Sequence, residues 1–115
     1  MGRMSTASSP LPAVKDDAFT AEVLEADGPV LVDFTAAWCP PCRAMEPILV
    51  ALDAERDDLR VVQVDVDAHQ VTAARYGVLS MPTFVLFRDG APVRTLVGAR
   101  TRRRLEAELD AALGR

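Results

Sequence analysis

Long apolar runs are missing from this 115-residue chain. VLV at 30–32 and TFVLF at 83–87 fall far short of the roughly 20 residues that a bilayer crossing needs, so no membrane span is expected. Positive charge is not in excess either: 17 Asp and Glu stand against 13 Lys and Arg, a net charge of −4. A nucleic-acid binder needs a basic stripe to displace counterions from phosphate, so this balance argues against that class and favours protein or small-molecule partners. Cysteine is down to two residues, and histidine and tryptophan to one each. A closed zinc site takes four ligands, and His69 falls in a separate predicted helix, so metal binding would require two chains sharing their cysteines. Neither a metal nor another cofactor is expected.

The N-terminus MGRMSTASSPLP carries one arginine with no apolar stretch of about 7 to 15 residues behind it, which does not read as a secretory signal. A cytoplasmic location is expected, where a two-residue cysteine spacing is redox-active or metal-binding more often than structural. Gly2 and Thr6 match a myristoylation pattern, but no second anchor or polybasic patch follows, and Met4 is an equally good start. Ser, Thr, Ala and Pro through residue 12 predict a flexible tail.

Half of the residues are apolar and 26% charged, enough for residues 13–115 to bury one core without disulfide scaffolding. Turn signals alternate with two periodicities, and no segment repeats another. Asp16 or Asp17 is placed to cap a helix carrying Phe19, Val23 and Leu24, stopped by Gly28 and Pro29. Val30 to Thr35 is apolar on both faces, as a central parallel strand should be. A helix from about Pro41 to Arg56 sets Met45, Ile48, Leu49 and Leu52 at core spacing. RVVQVDVD predicts a strand, and Asp67 a cap for a helix that contains Val71 and Ala74 and ends at Gly77.

Two strand-like runs then flank Asp89 and Gly90, the pairing that favours a tight antiparallel hairpin. Thr101 is placed to cap a last helix with Leu105, Leu109, Ala112 and Leu113 on one stripe, closed by Gly114. Its opening run Arg102 to Arg104 opposes the helix dipole, with Glu106 and Glu108 four residues after Arg102 and Arg104. With Ala13 and Val14 as a short first strand, the order is β-α-β-α-β-α-β-β-α. That is an α/β fold with a mixed sheet and helices on both faces.

The stretch VDFTAAWCPPCRAMEP concentrates the chemistry. Cys39 falls at or near a helix N-cap, where unpaired N–H groups and the positive dipole end stabilise a thiolate. Cys42, three residues on, lies within disulfide reach while only Cys39 is expected to meet solvent. Cys39 is thus the candidate attacking sulfur and Cys42 the resolving one. Pro40 and Pro41 fit a first helical turn but cannot donate to the Cys39 sulfur, leaving the Cys42 N–H as the donor. Whether the helix begins at Pro40 or Pro41 stays open, since a residue before proline avoids the helical region. Asp33 shares a strand face with Leu31 and Thr35, where desolvation should raise its pKa and let it exchange protons with Cys42, directly or through one water.

VLVDFTAAWCPPCRAMEP resembles the active-site strand and helix of the thioredoxin family, SMPT its cis-proline loop, and FRDGAPVRTLVGA its terminal hairpin. The likeness runs from about Ala13 to Leu113. It implies a thioredoxin-like fold and a protein-disulfide reductase, acting as a monomer on disulfide-containing proteins with a thioredoxin reductase as electron source. It further implies that Trp38 flanks the site, that Met81 and Pro82 form a cis peptide whose backbone pairs with an extended substrate, and that Gly98 leaves room for that substrate. Pro40 and Pro41 complete the substrate surface, and Pro47 kinks the active-site helix.

Three positions depart from the family's commoner pattern: Pro40 for glycine, which should leave the thiolate less stabilised and alter the redox poise; Gln63 for a lysine beside the aspartate; and Thr35 for a second tryptophan. Two other readings stand beside the reductase: a disulfide oxidant or isomerase, and a non-catalytic peptide-binding or assembly module.

Overall fold

The computed structural model describes residues 11–115. Four strands form one mixed sheet in the order β2-β1-β3-β4. β1 (Val30–Thr35) lies inside it, parallel to β2 (Arg60–Asp65) and antiparallel to β3 (Thr83–Arg88), and β3 pairs in turn with antiparallel β4 (Ala91–Val97). Three helices complete the domain: α1 (Pro40–Glu55), α2 (Gln70–Arg75) and α3 (Arg102–Ala112).

The period of two along β1 decides what each helix covers. Leu31 joins Met45, Leu49 and Leu52 of α1 and Leu105 and Leu109 of α3 in one core. Val30, Val32 and Phe34 point the other way, into a second core with Phe19, Val23 and Ala73. A sheet apolar on both faces needs a helical layer on each, and the chain supplies them. α1 passes unbroken through Pro47. The hairpin turn takes positive φ at both Asp89 and Gly90, +54° and +81°, which matches the twist of the flanking strands. Thr101 caps α3 by accepting from the Arg104 N–H at 3.1 Å. The arginines that open α3 are relieved as expected, Arg102 bonding Glu106 at 2.9 Å and Arg104 facing Glu108 at 3.6 Å.

Some expectations change. Ala13 and Val14 make a single parallel bridge to Gln63 rather than a strand: the Val14 N–H donates to the Gln63 carbonyl, and the Gln63 N–H to the Pro12 carbonyl. Leu11 is buried in the α1/α3 core. Gly2, Met4 and Thr6 lie outside the described residues. The second strand stops at Asp65, two residues short of the apolar alternation.

The N-terminal α-helix is instead a 3-10 turn (Asp16–Ala18) followed by a π-helical turn (Thr20–Leu24), and neither Asp16 nor Asp17 caps it. The Asp16 carboxylate is engaged elsewhere, accepting from the Thr72 N–H at 2.9 Å and the Thr72 hydroxyl at 2.6 Å. It thereby supplies the first turn of α2 with the acceptor expected from Asp67, while the α2 N-cap, His69, makes no side-chain capping bond. α2 contains Val71 and Ala74 as expected, and the residues it buries are Thr72 and Ala73.

Asp16→Ala should therefore speed hydrogen exchange at the Thr72 amide and lower Tm, whereas Asp67→Ala should leave Thr72 protected. Amide exchange followed by NMR reads both, and equal protection in the two variants would reverse the assignment.

Candidate active site

The carboxyl end of β1 delivers the chain to the site, as open α/β sheets do. α1 starts at Pro40, with Pro40 and Pro41 in its first two positions and Cys39 as N-cap in extended conformation, φ −96° and ψ 107°. This settles the boundary left open by the two prolines. Proline's fixed φ suits a first turn, and the N–H groups lost there have no intrahelical partner. Only the third position keeps a donor that reaches the cap, and the Cys42 N–H points at Cys39 Sγ at 3.4 Å. Cys39 and Cys42 are joined as a disulfide with Cα atoms 5.3 Å apart. Arg43 steadies the approach to the pair, its Nε and Nη2 donating to the Ala37 carbonyl at 3.1 and 2.7 Å.

The expected contrast in exposure between the sulfurs is absent in this oxidised form. Cys39 and Cys42 are each 3% exposed. Both pack with Ala36 under Val66 and Met81, and the Met81 carbonyl oxygen lies 3.7 Å from Cys39 Sγ. The Met81–Pro82 peptide is cis. Gly98 joins this loop by donating its N–H to the Pro82 carbonyl at 2.9 Å; its φ of +96° disfavours a side chain, and nothing lies within 4 Å of where a Cβ would stand. Trp38 is 63% exposed and anchored by its indole N–H, which donates to Asp67 Oδ2 at 2.7 Å. That bond is where the Asp67 carboxylate goes instead of α2.

Asp33 lies behind the pair, 3% exposed, between Gln63 of β2 and Phe84 of β3. Its Oδ1 is buried without a hydrogen-bond partner. Burial, with a smaller push from the Glu46 carboxylate, raises its pKa from the ordinary 3.8 to about 7. Asp33, Cys42 and Glu46 line one cleft of about 790 Å³, ample for the water through which a buried acid reaches a thiol.

Residues 10–111 match the family model for thioredoxin. The chain belongs to the thioredoxin family. It is 47% identical over 104 residues to the thioredoxin of Mycolicibacterium smegmatis, covering 88% of this chain and 93% of that protein. The Streptomyces clavuligerus thioredoxin is 45% identical over 87 residues, 76% of this chain and 81% of its own length. That of Bacillus subtilis is 46% identical over 92 residues, 79% and 86%. Like these thioredoxins the chain is a thiol-disulfide oxidoreductase, a protein-disulfide reductase with a reversible Cys39/Cys42 dithiol. Membership of the thioredoxin family also implies disulfide-bearing proteins as substrates and a thioredoxin reductase as electron source.

Against that thioredoxin background the departures acquire a geometry. Gln63 pairs in register with Asp33 but sends its amide away, donating to the Leu11 carbonyl at 3.2 Å. Asp33 therefore gains no cation from that strand. His69 accepts from the Asp16 N–H at 3.3 Å, and no group of three or more His, Cys, Asp or Glu among the described residues is arranged to hold a metal. No helix among them is long and apolar enough to cross a membrane.

Three features escaped the sequence. Asp67 as the anchor of Trp38 needs a tertiary contact across 29 positions, which no local pattern reports. Leu79 is 95% exposed two residues before Met81, and no local pattern sets it apart from a buried leucine. Glu46 had a usable signal, since it lies four residues after Cys42 and so on the same helical face.

A buried acid whose folded pKa exceeds its unfolded one binds more protons in the folded state, so stability falls as pH rises from about 4 to about 7. Above that window Asp33 should cost about 4 kcal/mol. Asp33→Asn should therefore be more stable than the parent at pH 8, with the gap closing near pH 4, as denaturant unfolding at the two pH values would measure.

Proposed function

We propose that the chain reduces disulfides in a range of other proteins, with Cys39 as the attacking sulfur, Cys42 as the resolving one and Asp33 as the proton-exchanging acid. The observation that carries this is the bond from the Cys42 N–H to Cys39 Sγ at the N-cap of α1. A sulfur there gains from carrying negative charge, because it meets both an unpaired donor and the positive end of a 16-residue helix.

In the reduced protein the Cys39 thiolate attacks one sulfur of a substrate disulfide, and the other substrate sulfur leaves and takes a proton. Cys42 then gives its proton to the Asp33 carboxylate and attacks Cys39 Sγ. The bond between the pair forms as the bond from Cys39 to the substrate breaks, and the second substrate thiol departs. Two electrons pass from the pair to the substrate, and the reductase restores them. Trp38, Pro40, Pro41, Met81, Pro82 and Gly98 form the surface against which the substrate segment lies, the Met81 backbone pairing with it in extended form. The placement of the Met81 carbonyl against Cys39 Sγ supports that role. The protein works as a monomer in the cytoplasm, and the charge of −4 disfavours nucleic acid as a partner.

With NADPH and a thioredoxin reductase, insulin disulfides should be turned over by the parent and not by the variant with both cysteines changed to serine. Cys42→Ser should accumulate a mixed disulfide through Cys39, and Cys39→Ser none. Adducts on Cys42 would overturn the order of attack, and persistent oxidation of substrate thiols would favour an oxidant.

A second measurement concerns the prolines. An N-cap acceptor draws on the second and third N–H groups, so Pro41 rather than Pro40 withholds the donor within reach. Pro41→Ala should lower the Cys39 thiol pKa, read from thiolate absorbance, and make the pair more oxidising; Pro40→Gly should change both less.

A further inference from the structure

Asp33 Oδ1 has no hydrogen-bond partner to which the proton taken from Cys42 could pass directly. Asp33 is almost fully buried, and its contact with the outside is the cleft it shares with Cys42. The charged and amide groups that face it there are Arg43 and Glu46 from α1 and Gln63 and Asp65 from β2. Phe84, its partner on β3, does not titrate.

Three of those four are committed. Arg43 clasps the Ala37 carbonyl through both Nε and Nη2. Gln63 donates to Leu11. Asp65 Oδ1 accepts from the Asp67 and Ala68 N–H groups at 2.9 and 3.3 Å, which closes the end of β2. Glu46 is different. It makes no hydrogen bond or ion pair with any described residue and is half-buried at the cleft wall one helical turn past Cys42. Of the groups lining the cleft, it alone combines an uncommitted carboxylate with access to solvent.

We propose that Glu46 is the outer station of the proton route, passing protons between Asp33 and bulk water through the cleft that both line. This rests on the reading of Asp33 as the acid that exchanges with Cys42. When Cys42 resolves a mixed disulfide its proton moves to Asp33, then to the Glu46 carboxylate, directly or along water, then to solvent; reduction of the pair reverses the path. Only a proton moves, so no further reactant is needed. The charge of Glu46 is also felt at Asp33, where it adds to burial in disfavouring ionisation. The β2 position opposite Asp33 is an amide, Gln63, while α1 contributes a carboxylate to the same cleft.

The test is the rate at which a disulfide peptide oxidises the reduced protein in a single turnover, followed by Trp38 fluorescence from pH 6 to 8 in dilute buffer. Glu46→Gln should slow resolution by roughly tenfold, the low end of what a positioned proton-transfer group contributes. Added imidazole should restore the rate, and Glu46→Asp should retain most of it. The Asp33 carboxyl, followed by NMR, should titrate at lower pH in Glu46→Gln. Glu25→Gln, which removes one exposed charge from the N-terminal π-helical segment, controls for net charge and should behave as the parent. A parental rate for Glu46→Gln in dilute buffer would overturn the proposal, and so would a slow rate that imidazole does not restore. If Asp33→Asn alters the pH profile and Glu46→Gln does not, only the role of Glu46 falls; if neither does, the role of Asp33 falls with it.

Discussion

The cap that Cys39 places on α1 is the contact on which the site depends. Its extended backbone lets the side chain turn back over the helix end, where Pro40 and Pro41 have stripped two of the donors and Cys42 supplies the next. One local arrangement sets three things together: the spacing that brings two sulfurs into bonding range, the field that favours charge on one of them, and the direction in which the helix leaves. The rest of the fold aims this turn. β1 carries it to the carboxyl end of that strand, the α1 stripe of Met45, Leu49 and Leu52 binds it down, and Met81 packs against it, with the Gly98 N–H bonded to the Pro82 carbonyl.

Asp33 is stabilised by nothing of comparable strength. Its neighbours in register are an amide turned elsewhere and a phenyl ring, so the site holds a carboxyl whose charged form the structure resists. Strain of this kind is retained where chemistry uses it. The cost falls on stability in the alkaline range, and the two well-packed cores on either side of β1 absorb it.

Local patterns in the sequence carried the site a long way. The cysteine spacing, the strand ahead of it and the odd carboxylate in that strand all follow from periodicity and capping rules, because each is set within a few residues. The cis peptide at Met81–Pro82 did not follow from the residues and came from family likeness alone. The failures share a cause: acceptors were assigned to the nearest helix, while the fold spent them at long range. Asp16 went to Thr72, 56 positions away, and Asp67 to Trp38. The N-terminal segment, without a side-chain cap, forms a 3-10 turn and a π-helical turn. The burial of Cys39 likewise depends on Met81 and Val66, which no reading of the CPPC turn contains. Glu46 stands beside the apolar stripe of α1, on the Cys42 face, where core periodicity does not report it.

The two rims of the sheet differ in how they meet a neighbouring molecule. On the β2 side the bridge at Ala13 occupies the ladder at Gln63, so an incoming strand finds those groups already paired. On the β4 side Pro92 offers no donor, and the register slips between Leu86 and Phe87. Both rims therefore oppose edge-to-edge aggregation, which, on the proposed docking of extended segments beside Met81, keeps strand addition to that loop.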